Sequence, residues 1–408
     1  MLKNPDVGKQ TFGFARFARM SEFFLGLVQR LPYNELPIHE ERLIMVPKKI
    51  AVLTGGGDAP GLNSVIYGLT RACKTMFPNC EMIGYKFGYR GLYNNDFIPL
   101  DDNTTSGILH IGGTILRSSN KDNLFDYTVM ENGTPVKKDV SDVAVENMKK
   151  EGVDVLVVLG GDGTLTSARD FARKGFNVIG VPKTIDNDLG ATEMTYGFDT
   201  AVSIVTENLG RLHTTAESHH RVIVVEVMGR NSGWIALQSG IAGSADVIIL
   251  PEMPYKTENI VKKIKEREAR GKQFTIVVVT EGASELGGKT VVGKIVADSP
   301  DPIRYGGIAA KIAADLEPLI NNEVRSVNLG HIQRGGSPTA FDRALSVRYA
   351  VKVAEMIDAG DFGKMACLQN NEMGSVSLEE VIDANKYVTE DNEMVKVAKA
   401  LGISFANE

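Results

Sequence analysis

Pro182-Lys183-Thr184-Ile185-Asp186-Asn187-Asp188 follows directly on the apolar run Phe176-Asn177-Val178-Ile179-Gly180-Val181. A run of that length, bounded by turn residues, reads as a parallel strand covered on both faces. Both aspartates then fall at the carboxyl end of the strand, where open α/β sheets bind their ligands. If the stretch stays extended, Asp186 and Asp188 share one side, and one carboxylate can take a proton while the other sits near a metal. The competing reading is an Asx-rich turn with no chemistry of its own.

The same strand-to-turn pattern occurs upstream. Lys49-Ile50-Ala51-Val52-Leu53-Thr54 runs into Gly55-Gly56-Gly57-Asp58-Ala59-Pro60-Gly61, and Leu62, Val65, Ile66 and Leu69 mark one face of a helix after it. Such a turn aims backbone N–H groups and a helix N-terminus at an anion. It lacks the ending of a Walker A loop and the spacing of a dinucleotide fingerprint. A second cradle, Gly160-Gly161-Asp162-Gly163-Thr164, follows the strand Asp154–Leu159 and precedes a helix expected from about Leu165. Glycines there let amides approach phosphate oxygens, and Asp162 is well placed to hold the Mg2+ that neutralises a transferring phosphoryl group. Between the cradles, Arg117 and Lys121 either face a phosphate or are merely solvated. Residues 122–140 read as an insertion with a hairpin turning at Asn132-Gly133.

Downstream, a helix from Asp199 to about His213 leads to Arg221 and the strand Val222–Val227, which ends in Met228-Gly229-Arg230. The strand Phe274–Thr280 ends in Glu281, and Val324–Leu329 runs into Gly330-His331-Ile332-Gln333-Arg334. Strands and helices alternating at this spacing predict an α/β protein of doubly wound, Rossmann-like parallel sheets. A chain of 408 residues accommodates two such domains with a cleft between them. A net charge of −6 argues against nucleic acid or an anionic membrane as partner. No stretch is long and apolar enough to span a bilayer. Three cysteines with neither metal nor disulfide spacing suit a reducing cytoplasm.

Taken in order, TGGGDAPGLN, GGDGT, TIDND, VVEVMGR, TEG and LGHIQRGGSP, spread from about residue 49 to 385, resemble the 6-phosphofructokinase family. The resemblance implies Mg2+-dependent transfer of a phosphoryl group from ATP to the 1-hydroxyl of fructose 6-phosphate, in glycolysis. It makes Asp186 the base, with Lys183 and Thr184 acting beside it and Thr184 and Asp188 bordering the transferring group. Asp162 would hold Mg2+, and Gly56, Gly161, Gly163 and Thr164 would line the donor phosphates. Ser167 stands where the family has a glycine near the adenosine. Asn120 stands where it has an arginine, whose charge Lys121 or Arg117 would replace. Met228, Gly229, Arg230, Glu281, His331 and Arg334 would hold the sugar phosphate. Arg221 and Arg325 match arginines that reach the 6-phosphate from a neighbouring subunit, which implies a homodimer or homotetramer.

The implied domains are 49–197 plus 333–383 for the donor and 198–332 plus 384–408 for fructose 6-phosphate. Residues 1–48 read as an N-terminal helical extension, amphipathic through Phe12, Phe17, Phe24 and Leu27. Lys183 replaces a glycine of bacterial ATP users and is similar to the lysine of pyrophosphate-dependent members and of one ATP-dependent subgroup. Pyrophosphate users pair that lysine with an aspartate after GGD; Gly163 here leaves room for a nucleotide, so ATP is favoured and pyrophosphate is the alternative. NAD kinases and diacylglycerol kinases share GGDGT but lack LGHIQRGG. A catalytically silent, sugar-phosphate-sensing subunit would be expected to lose Asp186 or Asp162. Of the basic positions in the bacterial effector pocket, Arg71, Arg270 and Lys272 remain. Tyr67, Asp102 and His213 replace three arginines, which predicts a weak response to ADP and phosphoenolpyruvate.

Overall fold

The computed structural model describes residues 46–296, 302–382 and 384–408, so the extension read over 1–48 lies, up to residue 45, outside the described residues. In chain order come β1 (Lys49–Thr54), α1 (Leu62–Met76), β2 (Glu81–Tyr85), α2 (Tyr89–Asn94) and β3 (Phe97–Pro99). A hairpin follows, β4 (Tyr127–Glu131) and β5 (Thr134–Lys138), then α3 (Ser141–Glu151), β6 (Val155–Gly160), α4 (Asp162–Arg173) and β7 (Val178–Pro182). The long helix α5 (Phe198–His219) leads to β8 (Val222–Val227), α6 (Trp234–Ala242), β9 (Val247–Ile249), α7 (Thr257–Ala269) and β10 (Thr275–Thr280). Next are β11 (Val292–Ile295), β12 (Ile303–Tyr305), α8 (Ile308–Leu316), β13 (Val324–Asn328) and α9 (Ala340–Asp358). The chain closes with β14 (Lys364–Gln369), β15 (Glu372–Ser377), α10 (Leu378–Val381) and α11 (Glu393–Ala400).

These strands build two main sheets, ordered β15-β14-β7-β6-β1-β2-β3 and β13-β8-β10-β9. The second is parallel throughout. The first is parallel in its middle and antiparallel at both rims, β2 with β3 and β14 with β15. The expected doubly wound α/β architecture is present, with an antiparallel rim added. Strands β6, β8 and β10 are buried at every position, because helices cover both faces. Alternation along β1 sends Ile50 and Val52 into one core, with Leu159 and Tyr349, and Ala51 and Leu53 into the other, with Phe171. Helices α1 and α9 approach closely at Gly68, where an added Cβ would fall 2.9 Å from that of Ala350.

Two local expectations change and a third holds. Helix α4 begins at Asp162, not Leu165: Gly161 is extended at its N-cap, and an acidic first turn suits the helix dipole. Helix α5 continues past His213 to His219, where His220 ends it in a left-handed cap. The hairpin turn is as read, with Asn132 at φ 51° and Gly133 at φ 81°.

Candidate active site

Both glycine turns stand at the carboxyl ends of neighbouring strands, β1 and β6. The Gly55 N–H donates to the Leu159 carbonyl at 2.9 Å and the Gly56 N–H to the Ser119 carbonyl at 3.0 Å, which ties the turns to each other and to the segment before Lys121. A Cβ on Gly160 would fall 2.2 Å from Thr164 Cγ2, and one on Gly56 would fall 3.3 Å from Lys183 Nζ. A side chain is therefore excluded at Gly160 by direct contact, and at Gly56 it is disfavoured by the left-handed φ of 77°. Gly163 differs, since an added Cβ there would meet nothing within 4 Å. The Lys183 ammonium is buried and donates to the Gly57 carbonyl at 2.5 Å. Burial pushes it down to about 8, with Arg334 adding repulsion and Asp186, Asp58 and Asp188 opposing.

The aspartate loop does not remain extended. Strand β7 stops at Pro182, and Asn187 takes a left-handed φ of 51°, held by the Thr195 N–H donating to its Oδ1 at 3.0 Å. The backbone thus follows the turn reading, and the extended stretch on which the shared side of the two carboxylates is premised is absent. The Asp186 N–H donates to Thr184 Oγ1 at 3.1 Å, and Asp186 Oδ1 is buried with no hydrogen-bond partner. Burial raises the Asp186 carboxyl, while Arg334, Lys183 and Arg230 pull it back toward ionisation. Asp188 is pushed up to about 7, by burial first and then by the charge of Asp186, with Asp162 adding to it. Asp186 and Asp162 thus each act on Asp188. Among the described residues no group of three or more His, Cys, Asp and Glu is arranged to hold a metal by itself.

The second sheet supplies the facing wall. After β8, the Met228 N–H donates to Gln333 Oε1 at 3.2 Å, and Gln333 Nε2 donates to the Gly330 carbonyl at 3.0 Å. This fully buried glutamine joins the Met228–Arg230 turn to the short 3-10 turn that carries His331 and Arg334, and sequence reasoning assigned it no role. The backbone at Arg230 is so close to Gly282 that a Cβ on the glycine would fall 1.7 Å from the Arg230 carbonyl oxygen. Glu281 is pushed up to about 7 by burial, Asp186 and Glu226. Arg334 crosses to the first glycine turn, where its Nη1 donates to the Asp58 carbonyl at 3.0 Å, and Ser232 Oγ donates to the Asp186 carbonyl at 3.3 Å. The structure thus brings together Gly56, Asp162, Thr164, Lys183, Asp186, Asp188, Arg230, Glu281 and Arg334.

The other expected residues differ in exposure and position. Lys121 and His331 are exposed, and Ser167 is buried on α4. Arg221 and Arg325 lie at the amino end of the second sheet, where Arg325 is in register with Ile223, and both pair with Glu323. A strand length, roughly 16 Å or more, separates them from the turn at Met228. At the effector positions, the Arg71 guanidinium lies 5.0 Å from the centroid of the Tyr67 ring, Asp102 pairs with Lys74, and His213 Nε2 is 2.7 Å from the Gly243 carbonyl. Among the described residues no helix is long and apolar enough to cross a membrane.

Glycine turns on one sheet, facing cations and carboxylates at the strand ends of both, are the arrangement of a phosphotransferase. A phosphofructokinase family model matches residues 49–357. The ATP-dependent 6-phosphofructokinase 2 of Clostridium perfringens is 66% identical over 362 residues, covering 88% of this chain and 99% of that one. Its namesake in Streptomyces coelicolor is 44% identical over 345 residues, 84% of this chain and 97% of that one. Among solved structures, the phosphofructokinase of Saccharomyces cerevisiae superposes with a TM-score of 0.70 at 26% identity, covering 88% of this chain and 48% of that one. A pyrophosphate-dependent phosphofructokinase from Nitrosospira multiformis gives a TM-score of 0.73 at 19% identity over 88% and 92%, a likeness of fold alone. The chain belongs to the phosphofructokinase family.

Proposed function

We propose that this protein is an ATP-dependent 6-phosphofructokinase. Asp186 removes the proton from the 1-hydroxyl of fructose 6-phosphate, the resulting oxygen forms a bond to the γ-phosphorus of ATP, and the bond from that phosphorus to the bridging β,γ-oxygen breaks to release ADP. The observation that carries this reading is the unpartnered, buried Asp186 Oδ1 within the field of three cations, Arg334, Lys183 and Arg230. Burial disfavours the charged form of that carboxyl, and the three cations favour the ionised form a base requires. Lys183 and Thr184 act beside it, with Thr184 and Asp188 at the border of the transferring group. Asp162 is the residue that would hold Mg2+, with phosphate oxygens completing its shell; the ion would neutralise charge on the donor phosphates.

The donor phosphates lie over Gly56, Gly161, Gly163 and Thr164, on residues 49–197 plus 333–383, with Lys121 and Ser167 toward the nucleoside. The sugar phosphate lies on 198–332 plus 384–408, held by Met228, Gly229, Arg230, Glu281, His331 and Arg334. Arg221 and Arg325 serve the site of a neighbouring copy in a homodimer or homotetramer, a role supported by their distance from their own chain's site. The free space over Gly163 and the names of the relatives favour ATP over pyrophosphate, the donor that Lys183 keeps in view. Effectors that rely on a cationic pocket find Tyr67, Asp102 and His213 in place of arginines, so we infer a weak response to ADP. Turnover of fructose 6-phosphate measured with ATP and with pyrophosphate side by side tests the reading: saturable ATP turnover supports it, and turnover with pyrophosphate alone contradicts it.

A further inference from the structure

Residues 384–388 carry none of the proposed chemistry, yet they bond both to the aspartate loop and to the sugar-side turn. Asn385 pairs with Leu189 in an antiparallel bridge, and the Lys386 N–H donates to the Asp188 carbonyl at 2.7 Å. Gly190 is packed so tightly against the same segment that an added Cβ would fall 1.7 Å from the Ala384 carbonyl oxygen. On the other side, Trp234 Nε1 donates to the Lys386 carbonyl at 2.8 Å. Glu252 Oε1 accepts from the Val388 N–H at 2.9 Å and from the Gly233 N–H at 3.0 Å. One strap therefore connects the loop after β7 to the start of α6, which directly follows the Met228–Ser232 turn.

The Lys386 side chain strengthens the connection. Its Nζ donates to the carbonyls of Thr192 and Glu193, at 3.1 and 2.8 Å, and stands 5.6 Å from the centroid of the Trp234 ring. Burial pushes this ammonium down to about 8 against the attraction of Asp188 and Glu193, so its placement is costly and is held by the two carbonyls. We propose that Lys386 is a positioning residue for phosphoryl transfer, fixing the loop that carries Asp186 and Asp188 against the turn that carries Arg230. The inference rests on the reading of Asp186 as base, because it concerns the distance between that base and the sugar hydroxyl.

Lys386→Met keeps the aliphatic stem over Trp234 and removes the donors and the charge. A base displaced by a fraction of an ångström loses rate but not substrate, so kcat is expected to fall about 10- to 100-fold, with KM for fructose 6-phosphate and for ATP unchanged within about twofold. Lys386→Arg, which keeps donors for the two carbonyls, is expected to restore most of the parental kcat. Trp234 is the one tryptophan of the chain, so its emission should shift in K386M and stay in K386R. Should K386M not accumulate as folded protein, Lys386→Gln carries the same test. A kcat for K386M or K386Q close to that of the parent, a KM that rises as kcat falls, or an arginine that fails to rescue overturns the proposal. A parent without fructose 6-phosphate phosphorylation fails the functional reading and the positioning role with it; an active parent with an indifferent K386M fails the positioning role alone.

Discussion

The Lys183 ammonium donates to the Gly57 carbonyl at 2.5 Å and so closes the glycine turn after β1 onto the loop after β7. That bond spans the two segments that we assign to the donor phosphates and to the base. The same buried cation supports the ionised form of Asp186. Lys183→Met should therefore lower kcat about 10²- to 10³-fold, the usual loss when one preorganised electrostatic group is removed. Fructose 6-phosphate affinity, measured by calorimetry, should barely change.

Gly163 tests the choice of donor. The space beside it is open, and a carboxylate there would meet the nucleotide where its α-phosphate is expected. Gly163→Asp should lower kcat/KM for ATP by about 10²-fold or more, on the scale of a like charge left without a partner in a desolvated site. An equal loss with ATP and pyrophosphate would mean that the residue shapes the fold instead of the donor pocket.

Glu281 is held at a cost to stability. Its carboxyl is raised from 4.5 to about 7, so it is neutral in both folded and unfolded chains below about pH 4. Between those two values the unfolded chain ionises first, and above about pH 7 the full penalty applies. Glu281→Gln should then raise the stability of the ligand-free protein by about 1–3 kcal/mol at pH 8 and leave it unchanged at pH 4. Thermal unfolding at the two pH values measures this. A gain of equal size at both would remove ionisation as the cause.

Arg221 and Arg325 share the Glu323 carboxylate at the end of the second sheet far from their own chain's aspartates. Charge-assisted contacts to a phosphate are each worth about 1.5–3 kcal/mol, so Arg325→Ala should raise KM for fructose 6-phosphate about 10- to 100-fold with kcat retained. Mixing R325A with D186N should restore activity, because a hybrid oligomer has sites with one intact Asp186 and one intact neighbouring arginine. No recovery on mixing would place both residues in the same subunit's site.

Much of this was legible in the chain, and what was not has identifiable causes. Apolar runs such as Val155–Leu159 and Val222–Val225 announce central parallel strands, and the glycine turns after them mark the ligand edge. The antiparallel rim escaped notice because β15, Glu372–Ser377, mixes polar and apolar residues without a clear period. The start of α4 is hard to read because glycines usually argue for a turn, whereas here Gly160 ends β6, Gly161 is an extended N-cap and the helix begins at Asp162. The bend at Asn187 depends on Thr195, and the roles of Gln333 and Lys386 depend on carbonyls brought near by folding. Single polar residues of that kind leave no periodic signal. The meeting of Arg221 and Arg325 at Glu323 likewise needs the register of β8 against β13.

Asp186→Asn gives the most direct test of the central claim, since it keeps the shape of the side chain and removes its capacity to take a proton. Turnover with ATP and fructose 6-phosphate should fall by about 10³-fold or more, while calorimetric affinity for fructose 6-phosphate stays within about fivefold of the parent. A D186N protein that retains a tenth or more of the parental kcat would contradict the assignment of Asp186 as the base.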